Sequence, residues 1–291
     1  MDTRYLRSLI AVVDCGSIAK AARLENLTSA AVSQRIVALE RQLGMALLVR
    51  VGHEAKPSLA CMDLLPRARA IVNEVALLAG DADTRGLTGP LRIGAISTAL
   101  TGLLPQALRS MTRSTPQLKP VIVPGTSRTL YQALEANELD AALVVAPPFA
   151  LIKTFDAVLL RKEPLLFISN GHSAQSIDAR LQHCPYIQYD PDAWGGRHAV
   201  QYLHDHGLTP AALLDLDALE TIALLTAQGL GVSLVPCWSG IERWTGSCVL
   251  EPAGDERYDR EIVLLSHARG PRLRMVEVLR QALLENTASN Q

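Results

Sequence analysis

The apolar residues of the first 44 positions recur at the spacing of short helices. The first predicted helix has one apolar face, made of Leu6, Leu9, Ile10 and Val13. It ends at Gly16, and Ser17 can then cap a second helix that runs to about Leu24. After a tight turn, Thr28 can cap a third helix that stops at Gly44.

The third predicted helix has two unlike faces. Its buried stripe follows the helical spacing of Val32, Ile36, Leu39 and Leu43. The opposite face carries small and polar side chains, where a solvated face would carry more Lys and Glu: Ala30, Ser33, Gln34, Val37 and Arg41. Two short helices joined by a tight turn, the second with such a face, predict a helix-turn-helix. Residues 45–58 then predict a β-hairpin wing with Gly52 at its tip.

A longer helical pattern runs from Leu59 to about Ala79, and we expect Pro66 to kink or restart it. Its long apolar side has no partner within the small N-terminal region, so we expect it to pair with a second copy of the chain. Residues 80–90 are rich in Gly and Asp and predict a linker. The N-terminal part is therefore all-α apart from its wing, with a linker helix behind it.

From Leu91 onward short apolar runs alternate with helical stretches, which is the pattern of an α/β fold. The helical stretches lie near 102–113 and 128–137, and a final helix covers about 273–285. The predicted strands cover residues 91–96, 120–123, 140–145, 164–169, 186–189, 213–218, 231–236 and 261–266.

Composition and charge narrow the function classes only slightly. The 291 residues suit about two domains, and 48% hydrophobic with 20% charged residues is ordinary for a globular protein. No apolar run approaches the ~18–20 residues that cross a membrane, so we expect a cytoplasmic protein with no membrane partner. The net charge is −1, but residues 1–58 carry eight Lys/Arg against five Asp/Glu. This surplus weakly favours an anion-binding N-terminal module.

The sequence carries no motif of an enzyme or a metal site, and we expect no cofactor, no metal and no catalytic activity. There is no GxSxG, HExxH, P-loop or GxGxxG after a strand. His198, His204 and His206 lie close in the chain, but their spacing does not place all three on one helix face. Five cysteines form no CxxC pair, so reduced thiols are expected, while a redox switch using Cys237 and Cys248 stays an alternative.

The unusual face of the third helix suits the DNA major groove. Ser33 and Gln34 can hydrogen-bond base edges, whereas Ala30 and Val37 allow close approach and contact thymine methyl groups. The remaining predicted DNA-binding residues fall into two groups. One group is at the starts of the second and third helices, Ser17, Thr28 and Ser29, and the other has side chains suited to phosphates, Arg41, Arg50, His53 and Lys56.

Polar clusters follow two strands of the α/β region and predict a cleft for a small anion, such as the carboxylate of a metabolite. Ligands of open α/β sheets bind outside the carboxyl ends of strands, where helix N-termini favour anions. The expected effector-binding residues are Ser97, Thr98, Thr101, Thr126, Ser127 and Arg128, with His198 and Thr221 as candidates from the other side of the cleft. Ordinary helix capping by Ser and Thr is the alternative explanation.

Several stretches together resemble the LysR-type transcriptional regulators over essentially the whole chain. They are "LRSLIAVVDCGSIAKAARLENLTSAAVSQRIVALERQLGMALLVR", "LLPRARAIV", "GPLRIGA", "NELDAALV" and "AQGLGVSLVP". The resemblance implies a winged helix-turn-helix at residues 1–58, a dimerising linker helix with hinge at 59–86, and an effector domain at 87–291. That domain would resemble a periplasmic binding protein, with subdomain I at about 91–163 plus 267–291 and subdomain II at about 164–266.

The resemblance also implies partners and a mode of action. Family members bind dyad-symmetric promoter DNA as homodimers or homotetramers, and a small molecule between the subdomains modulates that binding. The chain would cross between the subdomains near 160–164 and return near 266–270. A solute-binding protein or an enzyme on the same α/β scaffold is the less favoured alternative, because neither needs the first 58 residues.

This chain departs from the family pattern at the recognition helix. Many members begin that helix with Ser-Gln-Pro, where this chain has Thr28-Ser29-Ala30. Many carry an arginine after the helix serine, where this chain has Gln34 followed by Arg35. Arg35 flanks the buried stripe, so we expect it at the DNA backbone or in an ion pair, and we expect base readout to differ from that of relatives.

Overall fold

The computed structural model describes residues 1–51, 54–81 and 87–288. Contacts group the chain into two compact units, one of residues 1–86 with 135–138 and the other of residues 87–134 and 139–291. Each unit buries its own set of apolar side chains. No helix among the described residues is both long and apolar enough to cross a membrane.

In the first unit, three helices are followed by a hairpin and a long helix. Their bounds are α1 Thr3–Cys15, α2 Ile18–Leu24, α3 Ser29–Leu43, β1 Leu48–Val51, β2 Glu54–Pro57 and α4 Leu59–Asp81. The predicted caps are confirmed: the Ser17 hydroxyl accepts from the Lys20 N–H, and Thr28 Oγ1 accepts from the Ala31 N–H at 3.2 Å. Gly44 ends α3 with φ of 71°, a backbone conformation that glycine adopts without strain.

The buried stripe of α3 packs against α1 as the periodicity predicts. Val32 and Leu39 are fully buried, and Leu9 and Val12 of α1 are their partners in the same core. Leu43, the last residue of the stripe, is only partly buried at the edge. Pro66 lies inside a single helix, so the alternative in which it restarts the helix is wrong. Cys61 and Ala68, on either side of Pro66, are both buried in the core and anchor the helix across it.

The second unit alternates strands and helices. Its strands are β3 Gly89–Ala95, β4 Leu118–Pro124, β5 Ala141–Val145, β6 Phe155–Glu163, β7 Leu165–Asn170, β8 Tyr186–Tyr189, β9 Ala212–Leu216, β10 Ser233–Pro236, β11 Cys248–Pro252 and β12 Arg260–His267. Its helices are α5 Ser97–Gly102, α6 Leu104–Ser114, α7 Ser127–Glu135, α8 Ile177–His183, α9 Gly196–Asp205, α10 Leu219–Ala227, α11 Glu242–Thr245 and α12 Leu273–Ala288, with a 3-10 turn at Glu256–Tyr258.

These elements build two subdomains within the second unit. Subdomain I is a mixed sheet in the order β4-β3-β5-β12-β6, in which β3 is parallel to β4 and β5 and β12 is antiparallel to its neighbours. Subdomain II has an antiparallel sheet in the order β10-β7-β11 and a parallel pair, β8 and β9. A parallel bridge between Tyr186 and Val232 joins these two groups of strands.

The chain crosses between the subdomains twice. The first crossing is at Pro164, between β6 and β7, as the resemblance implies. The second lies between Pro252 and Arg260, because β11 pairs with β7 whereas β12 pairs with β5 and β6. The expected return near 266–270 is therefore wrong, and residues 260–266 belong to subdomain I. The apolar run at 261–266 is buried in the sheet of subdomain I.

Two strands were absent from the predicted set. β6 is an edge strand on which buried and exposed residues mix, with Leu159 exposed and charged residues at its end, so it lacks a continuous apolar run. β11 is only five residues long and ends at a proline. Both strands are defined by their pairing with strands that lie far away in sequence, β7 for β11 and β12 for β6.

Candidate functional site

The exposed face of α3 is the first candidate site. Ser29, Ala30, Gln34 and Arg41 are exposed, and Ser33 is half-buried. Val37 is 45% exposed although it is apolar and two residues from the fully buried Leu39. The helix therefore holds its apolar stripe inside the core and presents small, amide and apolar groups outward, with Thr28 at its N-cap.

Arg35 does not belong to that face. Its Nη1 donates to Ser8 Oγ at 3.1 Å and lies 3.6 Å from Glu25 Oε2, and Ser8 Oγ donates to the same carboxylate at 2.5 Å. The expectation that Arg35 forms an ion pair is confirmed. This network joins α1 to α3 and to the turn after α2, so it holds the helix-turn-helix angle.

A carboxylate at the end of α3 positions the hairpin. Glu40 Oε1 accepts from the Leu47 N–H at 2.7 Å and from the Leu48 N–H at 3.2 Å. β1 and β2 then pair antiparallel, with Val49 opposite Lys56. Lys56 is exposed on β2, whereas the side chain of Arg50, the tip residue Gly52 and the predicted contact residue His53 lie outside the described residues.

The second candidate site is a cavity of about 660 Å³ between the two subdomains of the second unit. Its subdomain I wall follows the carboxyl ends of β3 and β4, as the sequence predicts, and includes Ser97, Thr98, Thr126, Ser127 and Arg128. Clefts of this size hold small-molecule ligands. Five of the eight predicted effector-binding residues therefore lie together.

The hydroxyls on this wall differ in what they already bind. Thr126 Oγ1 accepts from the Thr129 N–H at 3.3 Å and so caps α7. Ser97 Oγ donates to Glu220 Oε2 at 3.1 Å. Ser127 Oγ accepts from the Val145 N–H and Thr98 Oγ1 accepts from Arg260, but within the described residues neither hydroxyl hydrogen has an acceptor.

Three predicted residues lie away from the cavity wall. Thr101 Oγ1 bonds the Ser97 carbonyl and Glu220, and Thr221 is exposed on α10. His198 lies on α9, where burial together with Arg197 and Arg260 lowers its pKa to about 4. Thr101, Thr221 and His198 are thus not among the residues that line the cavity, and their effector-binding roles stay predictions.

A buried ion pair that sequence reasoning missed lies behind the cavity. Arg260, at the start of β12, donates to Glu163 Oε2 through Nε at 2.8 Å and Nη2 at 2.5 Å. Arg260 also donates to Thr98 Oγ1 at 3.2 Å and to Tyr189 Oη at 3.4 Å. Burial raises the pKa of the Glu163 carboxyl, and Arg260 opposes that shift. Glu163 and Arg260 are opposite each other in the sheet of subdomain I, next to the two crossings, and the Arg260 contact with Tyr189 of β8 reaches subdomain II.

The opposite wall of the cavity is acidic and was also missed. Asp190 and Asp192 follow β8, and Asp217 follows β9. Burial, followed by the nearby Asp190 carboxylate, raises the pKa of Asp217. The rule that located Ser97 and Thr126 after strand ends would have found Asp190, which directly follows the predicted strand 186–189. It would have missed Asp217, because the predicted strand 213–218 runs past the observed end of β9 at Leu216.

The described residues do not favour a redox switch at Cys237 and Cys248 or a metal site at the three histidines. Burial raises the pKa of both Cys237 and Cys248, which disfavours the reactive thiolate. His204 lies beside Asp205 and His206 beside Asp178, and the described residues hold no group of three or more His, Cys, Asp or Glu fit to bind a metal ion.

Comparison with known families accounts for both candidate sites. Residues 3–61 match the bacterial regulatory helix-turn-helix protein model of the lysR family, and residues 84–288 match the LysR substrate binding domain. The chain belongs to the LysR family. It is a transcriptional regulator with a DNA-binding helix-turn-helix and an effector-binding domain of mixed α/β fold.

Individual relatives agree with this assignment. The chain is 30% identical to the HTH-type transcriptional regulator CfxR of Cupriavidus necator, covering 99% of this chain and 92% of CfxR. It is 26% identical to the hydrogen peroxide-inducible genes activator of Haemophilus influenzae, covering 81% of this chain and 80% of that protein.

Solved structures share the LysR fold. A full-length OxyR variant from Pseudomonas aeruginosa has a TM-score of 0.73 at 21% identity, covering 97% of this chain and 94% of that chain. Full-length CbnR in complex with its target DNA has a TM-score of 0.68 at 22% identity, covering 97% of this chain and 100% of that chain. The predicted fold class is confirmed.

Proposed function

We propose that this LysR-family regulator reads promoter DNA through the exposed face of α3 and is controlled by a small ligand with an anionic group in the subdomain cavity. The DNA-reading role is carried by one observation: α3 exposes Ala30, Gln34 and Val37 on the side opposite its buried stripe. Small and amide side chains there suit close approach to base edges and methyl groups in the major groove.

The remaining contacts of the proposed DNA interface serve positioning. Basic and hydroxyl groups around α3 and the hairpin would bind phosphates, which fix register but carry no sequence information. They are Ser17, Thr28, Ser29, Arg41, Arg50, His53 and Lys56. Two copies of the chain would bind a dyad-symmetric promoter site. A regulator that acts on promoter DNA would work in the cytoplasm.

We propose that pairing of two copies uses α4. Leu59, Met62, Ile71 and Val75 are exposed on this helix, although they are apolar. Residues 1–58 would then be the DNA-binding domain, 59–86 the dimerisation helix and hinge, and 87–291 the effector-binding domain. We expect no catalytic activity in a chain whose relatives are regulators.

The DNA-reading role is tested by two substitutions with different expected signatures. Gln34→Ala should relax sequence preference at one base pair by about 1–3 kcal/mol, because a base-edge hydrogen bond is lost. Lys56→Ala should weaken binding to every sequence about equally and reduce its salt dependence, because one phosphate contact is lost. Competition binding against single-base variants of the promoter site measures both effects. A Gln34→Ala protein with unchanged preference at every position would overturn the assignment.

The proposed anion end of the effector is tested at Arg128. Arg128 reaches into the cavity wall beside the N-terminus of α7, and its Nη2 makes a 3.5 Å contact with the Asp192 carbonyl oxygen. A carboxylate ligand should therefore bind at least tenfold more weakly to Arg128→Ala, whereas Arg109→Ala, an exposed arginine of α6, should bind it normally. Calorimetry with the best ligand of a carboxylate screen measures this. Equal affinities in the two variants would exclude Arg128 from the site.

A further inference from the structure

The charges that line the effector cavity do not suit a simple anion. Its charged wall residues are Arg128, Arg260, Asp190, Asp192 and Asp217. Arg260 is paired with Glu163, which leaves Arg128 as the remaining arginine of the wall against three aspartates. Two carboxylates on the subdomain II wall are thus left without a balancing cation, and a second negative charge brought by a ligand would be repelled.

Asp217 is the acidic side chain with the least structural explanation. Asp190 Oδ1 accepts from the Asp192 N–H at 2.9 Å, so Asp190 has a role in its own turn. In the part of the chain that the structure describes, the Asp217 carboxylate makes no hydrogen bond or ion pair. Partial burial and the nearby carboxylates of Asp190 and Glu220 raise the pKa of Asp217, and Arg260 opposes that shift. The residue as a whole remains exposed at the cavity wall. Three carboxylates facing one cavity attract a cationic group of a ligand.

The opposite wall indicates a missing acceptor. Ser127 is 7% exposed and Thr98 is 4% exposed, and both line the cavity with a hydroxyl hydrogen that has no acceptor among the described residues. Buried donors are normally satisfied, so these two point to a ligand oxygen. Arg128 and the N-terminus of α7 lie beside them and favour a negatively charged oxygen group.

Ser97 is already occupied by a carboxylate of the protein. Glu220 of α10 accepts from Ser97 Oγ at 3.1 Å and so joins the two subdomains beside the cavity wall. A ligand carboxylate would have to displace Glu220 to use Ser97, whereas Ser127 and Thr98 are open to it. The anionic end of a ligand therefore fits beside Ser127, Thr98 and Arg128.

We propose that the effector carries both an ammonium group, bound by Asp217 with Asp190, and a carboxylate or similar oxyanion, bound by Ser127, Thr98 and Arg128. The inference rests on the proposed effector role of the cavity and adds the ligand's positive charge. A zwitterion of the amino-acid type satisfies both walls at once, and neither a plain carboxylate nor a plain amine does.

Repulsion among the cavity carboxylates can be tested without any ligand, through the melting temperature of the protein. Asp217→Asn removes one carboxylate from the cluster and should raise the melting temperature of the ligand-free full-length protein by about 2–4 °C. Asp215→Asn is the matched control, because Asp215 is exposed like Asp217 but lies within β9 and does not line the cavity. An Asp217→Asn variant that melts no higher than the control would show that the carboxylates do not repel one another, which contradicts the inference.

The ligand class is tested by a thermal-shift panel on the full-length protein. The panel holds the proteinogenic α-amino acids, each beside its deaminated carboxylate and its decarboxylated amine, for example leucine, 4-methylpentanoate and 3-methylbutylamine. We expect the strongest stabiliser to be a zwitterion, its affinity to fall at least tenfold in Asp217→Asn, and its affinity in Asp215→Asn to change less than twofold.

Three results of the panel would overturn the inference. They are a strongest stabiliser with only one of the two charges, a panel in which no zwitterion stabilises the protein, and equal weakening by Asp217→Asn and Asp215→Asn. A plain carboxylate as the best ligand would leave the proposed effector function standing, since the cavity would still bind an anion. That function fails separately, if ligands that occupy the cavity leave promoter binding unchanged.

Discussion

Replacing Glu163 with Gln should lower the free energy of unfolding of the second unit by about 3–5 kcal/mol, because Arg260 would stay buried without its counter-charge. Both side chains are 2% exposed, and both Arg260 contacts converge on one carboxylate oxygen. The pair also stands at the two strands by which the chain crosses between the subdomains. Loss of the pair should therefore weaken ligand binding in the cavity as well as lower the stability of the second unit.

The neighbouring pair supplies a matched control. Lys162 and Glu261 lie on the same two strands, each one residue from a member of the buried pair. They form a 3.5 Å ion pair, but both side chains are about half exposed. Lys162→Ala should cost less than about 1 kcal/mol, because water screens an exposed pair. Urea unfolding followed by tryptophan fluorescence measures both variants in the second unit, since Trp194, Trp238 and Trp244 all lie there. If both variants lowered the free energy of unfolding equally, the buried pair would contribute no more to stability than the exposed pair does.

Leu39→Ala should destabilise the DNA-binding unit by about 2–5 kcal/mol and thereby weaken promoter binding. Leu39 is fully buried where α3 packs on α1, so truncation leaves a cavity beneath the recognition helix. The tryptophan transition should stay in place, because the first unit contains no tryptophan. Far-UV circular dichroism and promoter binding then report on the first unit.

Val37→Ala is the control on the same helix. Val37 is 45% exposed, so its truncation should change stability by no more than about 0.5 kcal/mol. Any effect of Val37→Ala on promoter binding then reflects lost contact with DNA and not a loosened helix. If Leu39→Ala left the first unit as stable as Val37→Ala does, the packing role of the stripe would be contradicted.

The acidic wall changes the picture of the effector that sequence reasoning suggests. Strand-end hydroxyls and Arg128 indicate an anion, and the structure does bring five of those residues to one cavity. Asp190, Asp192 and Asp217 line the opposite wall of that cavity and add the charge that a plain anion would meet. The ligand chemistry therefore follows from both walls together and from neither alone.

Local pattern by itself determined the helix-turn-helix, its caps and the alternation of the α/β region. Helix periodicity, caps such as Ser17 and Thr28, and the glycine stop at Gly44 act over a few residues, so they can be read directly from the chain. The strands with continuous apolar runs were found for the same reason. The edge strand β6 was missed because its stability comes from pairing with β12, about a hundred residues later.

Only the tertiary structure decided the second crossing, the Glu163–Arg260 pair and the partners of the strand-end groups. Glu163 and Arg260 are 97 residues apart, and their contact depends on the register of β6 against β12. Thr126 caps a helix while Ser127, the next residue, keeps its hydroxyl hydrogen for the cavity. Such differences arise because burial and charge balance are set by residues distant in sequence, whereas periodicity and capping are set by near neighbours.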